Sequence, residues 1–252
     1  MTLQAFFQAN PKAAIAFSGG ADSAFLLWAA AQYGCDVRAY YAHTAFQPAF
    51  ELADAKQLAR SLQVPLTVLE IDILSVPGAA AGGADRCYYC KQALFTQLWQ
   101  DARADGFGLL LDGTNASDDA GDRPGMRALR ELEVRSPLRE CGLTKADIRQ
   151  QSRQAGLFTW DKPAYACLAT RAAQGMPLDA ALLHRIEAAE DALRAQGYSD
   201  FRVRVGADGT ARFQVTAAQM PRAQREWTAL AAQLAPWFDK SELDGVPRPA
   251  SV

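Results

Sequence analysis

Apolar residues in this chain fall into short runs that alternate with helical stripes. Ala13 to Phe17 is an unbroken apolar run of strand length, and Ser23 to Tyr33 continues as a helix that Gly34 closes. Val37 to Ala42 reads as a second strand. Phe50, Ala53, Leu58 and Leu62 recur near helical spacing until Pro65, and Leu66 to Ile71 reads as a third strand. Ala79 to Asp85 is small and glycine-rich, which predicts a loop. Tyr89 to Ala104 places Leu94, Phe95, Leu98 and Trp99 on one side of a helix, and Gly108 to Asp112 is a compact fourth strand. Strands alternating with helices predict a parallel sheet covered on both faces. Ligands of such sheets lie beyond the carboxyl ends of the strands.

The polar stretch from Gly113 to Pro124, with Asn115, Asp118, Asp119 and Asp122, reads as a long loop. Val134 to Leu138 predicts a short strand. Thr144 to Ala155 predicts a helix capped by Thr144, with Asp147 three residues on and Gly156 behind it. Leu157 to Thr170 is irregular. After about Gln174 the pattern changes. A helix over Leu178 to Gln196 precedes two alternating strands, Phe201 to Val205 and Ala211 to Val215, joined by a turn at 207–210, and a helix over Ala217 to Leu234 follows. The expected class is α/β: a parallel-sheet domain over 1–172 and a smaller C-terminal α+β domain over 173–252.

Composition narrows the partners. Half of the 252 residues are hydrophobic, enough for a sizeable core, yet no run approaches the ~18 apolar residues of a membrane span. Met1-Thr2-Leu3-Gln4 has no basic region, so no secretory leader is expected. The net charge is −2 and lysines and arginines do not cluster, which argues against a nucleic-acid partner. Five cysteines, an odd number, favour thiol or metal chemistry over a disulfide framework and suit a cytoplasmic protein.

The most specific chemistry follows the first strand, in Ser18-Gly19-Gly20-Ala21-Asp22-Ser23. Paired glycines let backbone N–H groups converge, and a helix N-terminus behind them favours an anion. Ser18 and Ser23 add hydroxyls, and Asp22 suits Mg2+. The pattern is neither a Walker A loop nor a G-x-G-x-x-G turn. It resembles the PP-loop of ATP pyrophosphatases, which implies ATP as ligand and cleavage between the α and β phosphates.

Cys87-Tyr88-Tyr89-Cys90 is a C-x-x-C placed just before a predicted helix. Such a pair serves as a redox dithiol, half a zinc site or part of an iron–sulfur site. Cys167 lies far along the chain, with Arg171 four residues on as a candidate to lower its pKa. Cys35 and Cys141 read as small buried hydrophobes. Arg202 and Arg204 alternate with valines, so both share one strand face and can grip a phosphate or lie solvated.

Taken with these pieces, Arg86 to Lys91, Asp112-Gly113-Thr114-Asn115, Arg123-Pro124-Gly125, Ser136-Pro137-Leu138, Lys162-Pro163 and Cys167 to Arg171 make the chain resemble the LarE-type ATP-dependent sulfur transferases. The resemblance implies a homo-oligomeric cytoplasmic enzyme of nickel-pincer nucleotide cofactor biosynthesis. It implies a small-molecule nucleotide substrate, pyridinium-3,5-biscarboxylic acid mononucleotide, whose carboxylates are adenylated and become thiocarboxylates. It assigns ATP to Ser18, Gly19, Gly20, Asp22, Ser23 and Asn115, Mg2+ to Asp22, and substrate to Arg171, Arg202 and Arg204. Cys167, Cys87 and Cys90 match the three-cysteine branch, in which they hold a [4Fe-4S] cluster; in the single-cysteine branch the residue matching Cys167 gives up its own sulfur. The alternatives are another PP-loop enzyme, either a tRNA thiolase or an NAD synthetase-like ligase, and a zinc-bearing nucleotide sensor. The sensor would need further ligands, with His43 and His184 the only histidines.

Overall fold

A computed structural model describes residues 1–118 and 124–250. Asp119, Asp122 and Arg123 of the expected loop therefore lie outside the described residues. The chain divides into two compact units: Met1–Val76 with Asp85–Lys162, and Pro77–Ala84 with Pro163–Val252.

The first unit opens with helix α1 (Leu3–Ala9) and strand β1 (Lys12–Ala16), followed by α2 (Ala21–Gln32), β2 (Asp36–His43), α3 (Ala49–Ser61) and β3 (Leu66–Glu70). The short helix α4 (Pro77–Ala80) belongs to the second unit. The first unit resumes with α5 (Arg86–Ala104), β4 (Leu110–Leu111), α6 (Pro124–Glu131), α7 (Pro137–Glu140) and α8 (Lys145–Gln154). Its sheet runs β3-β2-β1-β4 and is parallel throughout. Ala13, Ala14 and Ile15 of the central strand are completely buried, and so are Ala24, Leu26, Leu27, Ala29 and Ala30 of α2. A helix apolar on nearly every side needs cover on nearly every side. Around α2 that cover comes from β1, β2, α1 and α8. Leu3, Phe6 and Phe7 of α1 complete the core, with the two rings edge to face at 5.4 Å.

Three local expectations are corrected. Helix α5 begins at Arg86, so Cys87 lies in its first turn and Cys90 opens the second, and neither stands ahead of the helix. The first turn is braced from α6: Arg127 stacks on the Tyr88 ring at 4.2 Å, and the Tyr88 hydroxyl donates to Glu131 at 2.7 Å. Residues 134–138 form no strand. Arg135 alone bridges to Leu111, and Pro137, with no N–H to continue the ladder, starts α7 instead. Strand β4 is correspondingly only Leu110–Leu111. The small-residue stretch at 79–85 is partly helical, because α4 ends inside it.

The second unit contains α9 (Ala180–Ala195), β5 (Arg202–Val205), β6 (Ala211–Gln214), α10 (Met220–Leu234) and β7 (Ser241–Leu243). Its sheet order is β5-β6-β7, with β5 and β6 the expected antiparallel hairpin and β7 parallel to β6. The α/β class, with an all-parallel sheet and a small second sheet, is as expected. Among the described residues no helix is long and apolar enough to cross a membrane.

Candidate functional site

Beyond the carboxyl end of β1 the chain turns sharply through Ser18, Gly19 and Gly20 into α2. Gly19 has φ +73°, and a Cβ there would lie 2.9 Å from the Glu51 carbonyl oxygen, so conformation and space both require glycine. Gly20 caps α2 without any side-chain hydrogen bond, leaving the first N–H groups of a twelve-residue helix to face outward. The Ser18 and Ser23 hydroxyls are 3.1 Å apart, and Ser23 Oγ donates to the Gly20 carbonyl at 3.2 Å. Together they hold the turn shut.

A cleft of about 310 Å³ opens over this turn, lined by Ser18, Gly20, Asp22, Ser23 and, from other elements, Lys91, Phe95, Asp112, Gly113, Thr114 and Asp118. Its far wall follows β4. A Cβ on Gly113 would lie 2.8 Å from the Ser23 backbone nitrogen, so only glycine lets the two segments approach this closely. Asp112 is buried and accepts from the Thr114 hydroxyl at 2.5 Å and the Ser136 hydroxyl at 2.6 Å. Asn115 is buried behind the wall, its side-chain oxygen taking the Ser117 N–H at 2.8 Å. It shapes the loop from inside and is not among the residues that line the cleft.

Two lysines far along the chain close on the turn. Lys145 Nζ pairs with Asp22 Oδ2 at 2.6 Å, while Asp22 Oδ1 is buried with no hydrogen-bond partner. Lys162 Nζ donates to the Gly19 carbonyl at 3.2 Å and pairs with Asp54 at 2.6 Å. Nothing local in the sequence marks Lys145 as part of this site: it is separated from Asp22 by 123 residues and follows an ordinary helix cap.

The cysteines differ sharply in surroundings. Burial pushes the Cys35 thiol up to about 11, and burial also raises Cys141, so neither is a ready thiolate. Cys87 is exposed and Cys90 half-buried, at i and i+3 on α5, so both lie on one side of the helix near its start. Among the described residues no group of three or more His, Cys, Asp or Glu side chains is arranged to hold a metal ion.

The remaining expected residues belong to the second unit. Cys167 is half-buried there, just ahead of a 3-10 turn over Leu168–Thr170. Arg171 is fully buried. Burial works against its charge, but the Glu190 carboxylate at 2.8 Å outweighs this and raises its pKa. It also donates to the Ala166 carbonyl at 2.7 Å, pinning the segment that carries Cys167. Arg202 is buried and donates to the carbonyls of Phe201 and Ala164 at 2.7 and 2.9 Å. Burial, then Arg171 and Arg248 nearby, lower its pKa to about 10. Arg204, two residues along the same strand, is exposed. The expected residues thus form two groups, one in each unit.

Similar proteins can be set against this geometry. No family model matches the chain. It is 36% identical over 205 residues to an uncharacterized protein of Synechocystis sp., covering 80% of this chain and 76% of the relative. It is 32% identical over 205 residues to the pyridinium-3,5-bisthiocarboxylic acid mononucleotide synthase of Lactiplantibacillus plantarum, covering 81% of this chain and 74% of that protein. An uncharacterized protein of Methanocaldococcus jannaschii is 30% identical over 197 residues, 77% of this chain and 74% of its own. With identity of 30% or more across about three quarters of each of these relatives, the chain belongs to the LarE-type family of sulfur transferases.

Proposed function

We propose that this protein is an ATP-dependent sulfurtransferase that converts the carboxylates of pyridinium-3,5-biscarboxylic acid mononucleotide to thiocarboxylates. The observation that carries the reading is the identity to a synthase named for the corresponding product. The cleft over the Ser18–Ser23 turn supports it independently, because its donors suit a phosphate chain.

A carboxylate resists attack because oxide is a poor leaving group. Transfer of AMP to it, with departure of pyrophosphate, gives a mixed anhydride that sulfur can open. The outward N–H groups of α2 and the Ser18 and Ser23 hydroxyls bind the phosphates and orient the α-phosphorus. Gly113 keeps the opposite wall within reach of them. The orphaned, buried Oδ1 of Asp22 fits a divalent cation, and Asp22 would hold it. Bound Mg2+ would offset the charge of the departing pyrophosphate.

In the three-cysteine branch that Cys87, Cys90 and Cys167 resemble, a bound cluster would supply the sulfur as sulfide; in the single-cysteine branch Cys167 itself bears it. In the latter case the Cys167 thiolate attacks the acyl carbon and AMP leaves with the bonding pair. Loss of the Cys167 Cα proton then breaks the Cβ–S bond, leaving a thiocarboxylate on the substrate and dehydroalanine in the chain. The balance needs no oxidant.

The test is anaerobic incubation with ATP, Mg2+ and the biscarboxylic nucleotide, followed by pyrophosphate release and mass spectrometry of product and protein. Thiocarboxylate formed in step with pyrophosphate is expected, and its absence would reject the reading. In Asp22→Ala, pyrophosphate release should fall at least about 100-fold; unchanged release would remove Asp22 from the reaction.

A further inference from the structure

The backbone and hydroxyl donors of the turn suit a phosphate chain, but the charged side chains that line the cleft are mostly acidic. Asp22, Asp112 and Asp118 are three carboxylates, and Lys91 is the one lysine among the lining residues. A phosphate chain bearing several negative charges would meet a wall of its own sign. Some of that is already internal: Asp112 is occupied by Thr114 and Ser136, and Asp118 accepts the Asn115 N–H at 2.8 Å. Asp22 is different, because the group that holds it is a lysine ammonium on a flexible stem. Lys145 holds one carboxylate oxygen, and the other has no hydrogen-bond partner.

Lys145 is held at its base and loose at its tip. Its backbone N–H donates to Ser117 Oγ at 3.0 Å, and it is the first residue of α8, directly after the Thr144–Asp147 capping box. Its ammonium sits at the end of a flexible four-carbon stem. Small rotations of that stem move the charge by several ångströms while the helix stays in place. A divalent cation taken up by Asp22 would place two further positive charges beside Lys145 and weaken its hold on the carboxylate. The nearest anion would then be the ligand that enters with the cation.

We propose that Lys145 is a transferable cation of the nucleotide cleft: it neutralises Asp22 while the cleft is empty and bonds an oxygen of the β or γ phosphate when it is filled. The inference rests on the reading of this cleft as an ATP site. The same lysine thereby keeps a half-buried carboxylate from standing uncompensated and supplies a phosphate with the cation that the glycine turn lacks.

Calorimetric titration with α,β-methylene-ATP and Mg2+, and separately with AMP, tests it without turnover. The chains compared are the unsubstituted protein, Lys145→Met, Lys145→Arg, Asp22→Asn and the Asp22→Asn/Lys145→Met pair. Lys145→Met should weaken the triphosphate analogue about 10- to 100-fold while changing AMP affinity less than about 3-fold, and Lys145→Arg should restore most of the loss. A lysine that acted only as partner to Asp22 would matter no further once Asp22 is neutral. The decisive comparison is therefore Asp22→Asn against the pair, both of which leave no unpaired charge on Asp22. Weaker analogue binding by the pair supports the transfer, and equal binding overturns it. Equal loss of analogue and AMP in Lys145→Met would also overturn it. If the unsubstituted protein binds neither ligand, it is the ATP reading of the cleft that has failed.

Discussion

At the scale of single residues, backbone approach sets the candidate site as much as reactive side chains do. Gly113 touches no ligand in the proposed reaction, yet a methyl group there would overlap the first turn of α2. Gly113→Ala should therefore push the β4 wall away from Ser23 and lower kcat/KM for ATP at least about 10-fold, with the fold retained by circular dichroism. Normal kcat/KM would mean that the wall yields without cost. The glycine turn itself was legible in the sequence because its chemistry is contiguous: strand, two glycines, acid and serine in order. Asp22 belongs to that block, but its cationic partner does not, and no periodicity links positions so far apart. The arginines show the converse limit. Alternation correctly puts Arg202 and Arg204 on one side of β5, but it says nothing of depth, and only Arg202 is buried. Depth depends on what packs over the strand, which the strand's own residues do not encode.

At the scale of elements, the parallel sheet was readable because each of its first three strands is an apolar run ended by glycine, proline or polar residues. The misses have local causes. Helix α1 carries Leu3, Phe6 and Phe7 at helical spacing behind Thr2, whose hydroxyl accepts the Ala5 N–H at 3.2 Å; the signal is present but spans seven residues. Strand β7 has three residues and no apolar alternation, and exists because β6 offers it an edge. The early start of α5 depends on the grip of α6 on Tyr88, which is tertiary. The cap of α8 was read correctly, and both halves of its box are formed. Thr144→Ala should cost about 1 kcal/mol in urea unfolding. Because the same cap sets where Lys145 projects, it should also weaken binding of a triphosphate analogue. A change in stability with no change in that affinity would show that the cap supports the helix alone.

At the scale of the whole molecule, the chain enters its second unit twice. Residues 77–84 join that unit long before the remainder of it, at 163–250, has been reached. The insertion is bound through its backbone: the Gly175 N–H donates to the Gly82 carbonyl at 2.8 Å and the Leu178 N–H to the Ala80 carbonyl at 2.7 Å. Gly82 has φ +66°, and a Cβ there would come within 2.1 Å of the Met176 carbonyl oxygen. Gly82→Ala should therefore destabilise the second unit by at least about 2 kcal/mol. Hydrogen exchange should report this as faster exchange at Gly175 and Leu178 than in the β1 and β2 amides, and uniform exchange throughout would count against it. The glycine-rich composition announced a loop but not its destination, since eight residues carry no record of the partner they pair with. The two units are consequently not beads that can be exchanged along a string. A chimera that took only the residues after Lys162 from a relative would seat a foreign body on a native strap, so any recombination between homologues that preserves the second unit must carry both pieces across together.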